Sequence, residues 1–204
     1  DREQGSEELA SMSTPPSIKA TGFQGAADDL RVHVDSGRLP RAELAARLEP
    51  EDLRYLDKPL AASTWVPIAS YRRVVELLIE LEADGAPEPY LHGRGVRSAE
   101  RLHKIGLYRQ FEASVDTWGA RVGKIATTMA SVIYNFTRWT FESGEAHGDF
   151  KIFVDDARDF PEIARFTTQG FIEYTSKVVS GGDVRVRSER PTPERVVYLG
   201  RKSR

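Results

Sequence analysis

The chain has 204 residues, 40% of them hydrophobic and 29% charged, the balance of a globular protein of one domain with or without a tail. Its 29 Lys and Arg against 31 Asp and Glu leave a formal net charge of -2, which makes no case for nucleic acid or a membrane surface. The absence of cysteine excludes disulfides, iron–sulfur clusters, thiolate metal sites and a cysteine nucleophile. No apolar run nears the roughly 18 residues of a membrane span, and no signal-peptide core is present, so a cytoplasmic location is expected.

In chain order, residues 1–17 are polar, acidic and closed by Pro15-Pro16. This predicts a disordered tail, native or appended, ahead of a single domain over 18–204. Ile18 to Phe23 reads as a short strand. A helix over 26–35 would bury Leu30 and Val34 and stop near Gly37; Pro40 suits the first turn of a helix over 41–48, with Leu44 and Leu48 inward. Leu53 and Leu56 extend this helical cluster after Pro50. Val66 is pushed extended by Pro67, which opens a helix carrying Ile68, Tyr71, Val74, Val75, Leu78 and Leu81, with Trp65 folded back on it. Residues 88–98 read as a glycine-containing loop, and Gly93-Arg94-Gly95 lacks the preceding strand and glycine spacing of a phosphate loop. A helix over 98–116 follows, with Leu102, Ile105, Tyr108, Phe111 and Val115 inward.

The longest helical pattern covers 120–141. Val122, Ile125, Met129, Val132, Ile133, Phe136 and Trp139 recur at steps of three and four, on one face of a helix, and Ala126 and Ala130 admit a close neighbour. It is expected to be the central helix of the core. Met129, Ile133, Phe136 and Trp139, with Tyr108 and Phe111, are candidate walls of a pocket for a small apolar ligand. Farther on, Phe150–Val154 reads as a strand, and Pro161 opens a helix (Ile163, Phe166, Phe171, Tyr174, Val178) closed by Gly181-Gly182. Val184–Arg187 alternates, and a turn through Pro191 and Pro193 leads to Val196–Leu199 as an antiparallel hairpin. The fold class is α+β: a helical N-terminal half packed on a small antiparallel sheet, ending strand–helix–strand–turn–strand.

No catalytic constellation stands out. His33, His92, His103 and His147 never pair at the i, i+3 or i+4 spacing of a helical metal site, no Gly-x-Ser-x-Gly elbow occurs, and Asp155 and Asp156 on a strand point to opposite faces. No metal, cofactor or catalytic residue is expected, and binding is favoured over catalysis. Arg185, Arg187, Arg190 and Arg195 crowd the final hairpin. With Val184 and Val186 facing the core, Arg185 and Arg187 face out, either as charge protection of a sheet edge or as contacts for an acidic protein or nucleic-acid phosphate.

The order of these features carries a resemblance over roughly residues 18–201: the Ile18–Phe23 segment, Trp65-Val66-Pro67 with Tyr71 on a helix, the aromatic central helix, and strand–helix–Gly–strand–turn–strand from Phe150 to Leu199. It resembles the superfamily of vinyl-reductase-type domains, haem-NO-binding domains and acylated transport-protein-particle subunits, and is most similar to uncharacterised vinyl-reductase-like proteins of myxobacteria. The resemblance implies a non-enzymatic bacterial sensory or adaptor domain for a small apolar ligand or a protein partner. Relatives often dimerise, and the width of the central stripe agrees with a homodimer. The family's chemical signatures depart here. The cysteines of the zinc and acyl sites are missing, and the haem motif Tyr-x-Ser-x-Arg is approached only by Tyr174-Thr175-Ser176-Lys177-Val178, with Val where Arg would clamp haem propionates. His103 is the best available axial donor.

Overall fold

A computed structural model describes residues 14–104, 118–144 and 149–202 of the chain, and its first strand starts earlier than the sequence suggests. Pro16 and Ser17, expected to close the tail, already belong to the fold. The Pro16 carbonyl accepts from the Ile68 N–H at 2.8 Å, and β1 (Ser17–Lys19) pairs antiparallel with β2 (Trp65–Pro67), Ile18 opposite Val66. Only three residues are extended. The chain turns helical at Ala20, so α1 (Ala20–Asp35) takes in most of the segment expected as a strand. Phe23, Ala26, Ala27, Leu30 and His33 form its buried face.

Pro40 and Pro67 stand immediately before α2 (Arg41–Arg47) and α4 (Ile68–Glu82), with α3 (Pro50–Asp57) between them. The carboxylate of Asp52, inaccessible to solvent, fastens α3 to α4 by accepting from Arg73 Nε and Nη2 at 2.6 and 2.7 Å. Burial works against its charge, but the bonds from Arg73, Ser70 and the Glu49 N–H hold the carboxyl below its ordinary pKa. Trp65 lies beneath the Lys19 ammonium, 3.9 Å from the ring centroid.

Residues 88–98 are helical, not a loop, within α5 (Pro87–Lys104). A glycine in a helix costs roughly 1 kcal/mol relative to alanine. Here tertiary contact compensates, because α5 crosses α7 (Glu162–Ser180) with almost no side chain between them. A Cβ on Gly95 would collide with the Thr167 carbonyl oxygen, and one on Gly170 with that of His92. Tyr108 and Phe111, with the rest of the helix expected beyond Lys104, lie outside the described residues.

The central helix is shorter than its periodicity implies. α6 runs Trp118–Ile133, and Val132, placed on the inward stripe by spacing, is 57% exposed. The chain leaves the helix because Asn135 is taken by β1. Its Oδ1 accepts from the Ser17 N–H at 2.7 Å, while Tyr134 forms a β-bridge with Ile18. Trp139 and Phe141 therefore stand on β3 (Arg138–Ser143), a stretch rich in aromatic and β-branched residues that suits a strand as well as a helix.

β3, β4 (Phe150–Asp155), β6 (Arg195–Lys202) and β5 (Val184–Thr192) form, in that spatial order, an antiparallel sheet. Its inner face is Phe150, Ile152, Val154, Val184, Val186, Val196 and Tyr198. α7 lies on this face between the predicted stops: Pro161 precedes it, and Gly181 ends it in the left-handed conformation (φ 63°). The molecule is thus α+β, helices on one face of the sheet. Gly170→Ala should lower stability by about 3 kcal/mol through overpacking. Urea unfolding would show this as a lower midpoint at constant slope, and an unchanged midpoint would mean the helices can part.

Candidate functional site

α1, α5, α6 and α7 border a partly open cavity of about 160 Å³ beside the sheet. Ala126, Met129, Ala130 and Ile133 of α6 form one wall, and Phe171 and Ile172 of α7 lie across from it. Tyr134 and Trp139 continue the α6 wall after the helix ends. α1 contributes Thr21, Gly22 and Gly25, and α5 contributes Gly95, Ser98, Arg101 and Leu102. The small residues of α1 and α6 leave the space open, and aromatic residues line its walls.

Those aromatics hold one another in place. Trp139 is stacked between Tyr134 (6.3 Å between centroids, planes 6° apart) and Tyr198 (6.0 Å, 12°), and Phe160 sets its edge against both Tyr134 and Trp139. Burial raises the phenol pKa values of Tyr71, Tyr134 and Tyr198. The Tyr198 hydroxyl donates to the Arg165 carbonyl at 3.2 Å, and Thr167 and Thr168 stand near the tyrosine hydroxyls. The tyrosines of the wall are thus neutral at ordinary pH.

Behind Tyr71 a polar chain crosses from α5 to α1 and α4. The buried Arg94 donates to Asp29 Oδ2 at 2.6 Å and to the Tyr90 hydroxyl at 3.0 Å; that hydroxyl donates to Glu82 Oε2 at 2.7 Å. His33 Nε2 lies 2.5 Å from Glu82 Oε1, and its buried Nδ1 has no hydrogen-bond partner. Burial pushes the Tyr90 phenol up to about 12. Burial also opposes the Glu82 charge, yet the bonds from His33 and Tyr90 prevail and keep its carboxyl below the ordinary value.

Of the candidates picked from sequence, Met129, Ile133 and Trp139 line the cavity. Phe136 sits behind it, its ring edge-on to Tyr134 at 5.9 Å. Tyr134, at the aromatic end of the central helical pattern, joins them on the lining, as do Tyr71 and Phe171, which in sequence read as core, and Ile172, which carries no signal of its own. The hairpin arginines do not form an open basic stripe. Arg190 turns inward, donating to the carbonyls of Ala157, Phe160 and Pro193 and to Glu162. Arg195 donates to Asp155 at 2.7 Å; Arg185 and Arg187, exposed as expected, stand 3.8 and 3.4 Å from Asp183 and Glu189. Among the described residues, no group of three or more acidic or histidine side chains could hold a metal ion, and no helix is long and apolar enough to cross a membrane.

No protein-family model and no curated protein matches this chain. Solved structures do. A point mutant of the T. tengcongensis H-NOX is 11% identical at a TM-score of 0.58, with 92% of this chain and 98% of that one covered. An oxygen-binding H-NOX domain related to soluble guanylate cyclases, in its oxygen complex, is 11% identical at 0.59, covering 92% and 96%. A Cs H-NOX mutant carrying 4-cyano-L-phenylalanine is 12% identical at 0.59, covering 92% and 97%. At such identities the likeness establishes the fold.

The polar chain has a measurable consequence. A carboxyl with a depressed folded-state pKa adds stability above its unfolded value, near 4.5 for Glu82, and that stability disappears as pH falls through the folded value. Glu82→Gln should therefore lower stability at neutral pH and flatten its fall between about pH 5 and pH 3. Urea unfolding across that range tests it; an equally steep fall in the variant would place the acid sensitivity elsewhere.

Proposed function

We propose that this chain is a non-enzymatic sensory domain that binds a small apolar ligand between α6 and α7, without haem, and signals to a protein partner. The observation that carries this reading is the cavity itself: about 160 Å³, lined mainly by hydrocarbon and aromatic surface, and walled by side chains that are already braced. A dry apolar cavity of about 150 Å³ is enough to hold benzene. Support also comes from the fold, which it has in common with an oxygen-binding H-NOX domain. The vinyl-reductase-like kinship read from element order belongs to the same proposal.

Haem is associated with the H-NOX family in one of the similar structures, a study of haem distortion. The residues here do not fit it. The cavity is benzene-sized, and the Gly95–Gly170 crossing brings α5 and α7 together where a macrocycle would have to part them. Neither nearby histidine lines it. His92 faces Glu173 at 3.7 Å and His103 sets its edge against Tyr174. Ser176, the motif serine, donates back to the Ile172 carbonyl at 2.6 Å within α7.

Two measurements bear on this. Toluene or indole at about ten times its Kd should stabilise the chain by about 1.4 kcal/mol, raising Tm by about 3–5 °C. Ala130→Phe, which projects a ring into the cavity, should abolish that shift while keeping a cooperative melt. No shift with either compound in the unmodified chain overturns the apolar-ligand reading. Chain purified after haem-supplemented expression should carry no stoichiometric Soret absorption, and a full band would overturn the haem-free part.

A further inference from the structure

Among the described residues lining the cavity, Arg101 is the only charged one. It stands at the rim, exposed on its outer side, and its guanidinium lies against α1 where the chain has Gly25; a Cβ there would come within 2.7 Å of Nη2. Its hydrogen bond is to a neutral group, Ser98 Oγ at 3.3 Å. The acids around it are engaged elsewhere: Asp28 with Arg31 at 2.5 Å, Asp29 with Arg94 at 2.6 Å and Glu100 with Lys104 at 3.0 Å. Among the described residues no carboxylate pairs with Arg101. A planar fork of donors beside an apolar hole matches a carboxylate attached to a hydrocarbon body.

Resting on the apolar-ligand reading, we infer that the cavity takes a small monocarboxylate, its ring or short branched chain entering between α6 and α7 and its carboxylate meeting Arg101. The hydrocarbon part is limited to about the size of benzene by the volume. Ser98, whose hydroxyl is 3.3 Å from Arg101, and Thr21 are also on the lining and carry hydroxyls for the second carboxylate oxygen. Because Arg101 is part-exposed, salt screens the attraction, which sets the expected discrimination at about tenfold.

Calorimetric titration of the full chain with benzoate, benzamide and toluene at constant ionic strength tests this. Benzoate should bind about tenfold more tightly than benzamide, and Arg101→Gln should remove that preference while leaving toluene unaffected. Ala130→Phe should lose all three ligands. Equal affinities for benzoate and benzamide, or a preference that survives Arg101→Gln or Ala130→Phe, overturns the carboxylate inference. If toluene still binds in those titrations, the apolar-cavity reading stands. Failure of all three to bind the unmodified chain overturns both.

Discussion

The contact between the backbones of α5 and α7 governs the rest of the molecule. Gly95 meets the Thr167 carbonyl and Gly170 meets that of His92, so the two helices approach to a distance that any other residue pair would prevent. α7 is itself seated on the sheet, with Ile163, Ala164 and Ile172 buried and Glu173 Oε2 accepting from the Val186 N–H at 3.0 Å. The crossing therefore fixes α5 to the sheet at second hand. It also decides what faces the cavity, because Ser98, Arg101 and Leu102 follow Gly95 at intervals of about one helical turn.

The cavity pairs a hydrocarbon interior with a polar framework set back from it. Trp139 stacks with two tyrosines, and the Tyr198 hydroxyl is taken by the Arg165 carbonyl, so a ligand in the interior meets chiefly aromatic and aliphatic faces. The ionised groups sit a layer away, in the chain from Arg94 through Tyr90 to Glu82 and His33. This separation suits an apolar cavity. Unpaired polar groups in its wall would each cost on the order of 1–3 kcal/mol or draw in water. Arg101, at the rim, has no such penalty because it keeps contact with solvent.

Much of the fold was legible in sequence wherever a signal acts on its immediate neighbours. Proline at 40, 67 and 161 stands at helix starts, Gly181 at a stop, and the alternation of Val184 and Val186 with Arg185 and Arg187 gives the correct inward face. The α+β class followed from the order of these signals. The candidate site was legible only in part. Met129, Ile133 and Trp139 were found as apolar residues near an aromatic cluster, but on the wrong assumption that one helix carried all three.

What the sequence determined by itself is what covalent geometry and local periodicity control: where helices start, which strand faces turn inward, and the absence of thiol chemistry. The tertiary structure decided the rest. Spacing alone continued the central helix to residue 141, whereas Asn135, bonded to Ser17 118 positions away, ends it at Ile133 and gives Trp139 to a strand. Glycines at 93 and 95 looked like a loop until α7, packed on Gly95, supplied the partner that makes a missing side chain useful there. Arg190 looked like an exposed base until the carbonyls of Ala157 and Phe160 drew it inward. In each case the energy depends on which group lies opposite across a long stretch of chain, and no window of neighbouring residues contains that information.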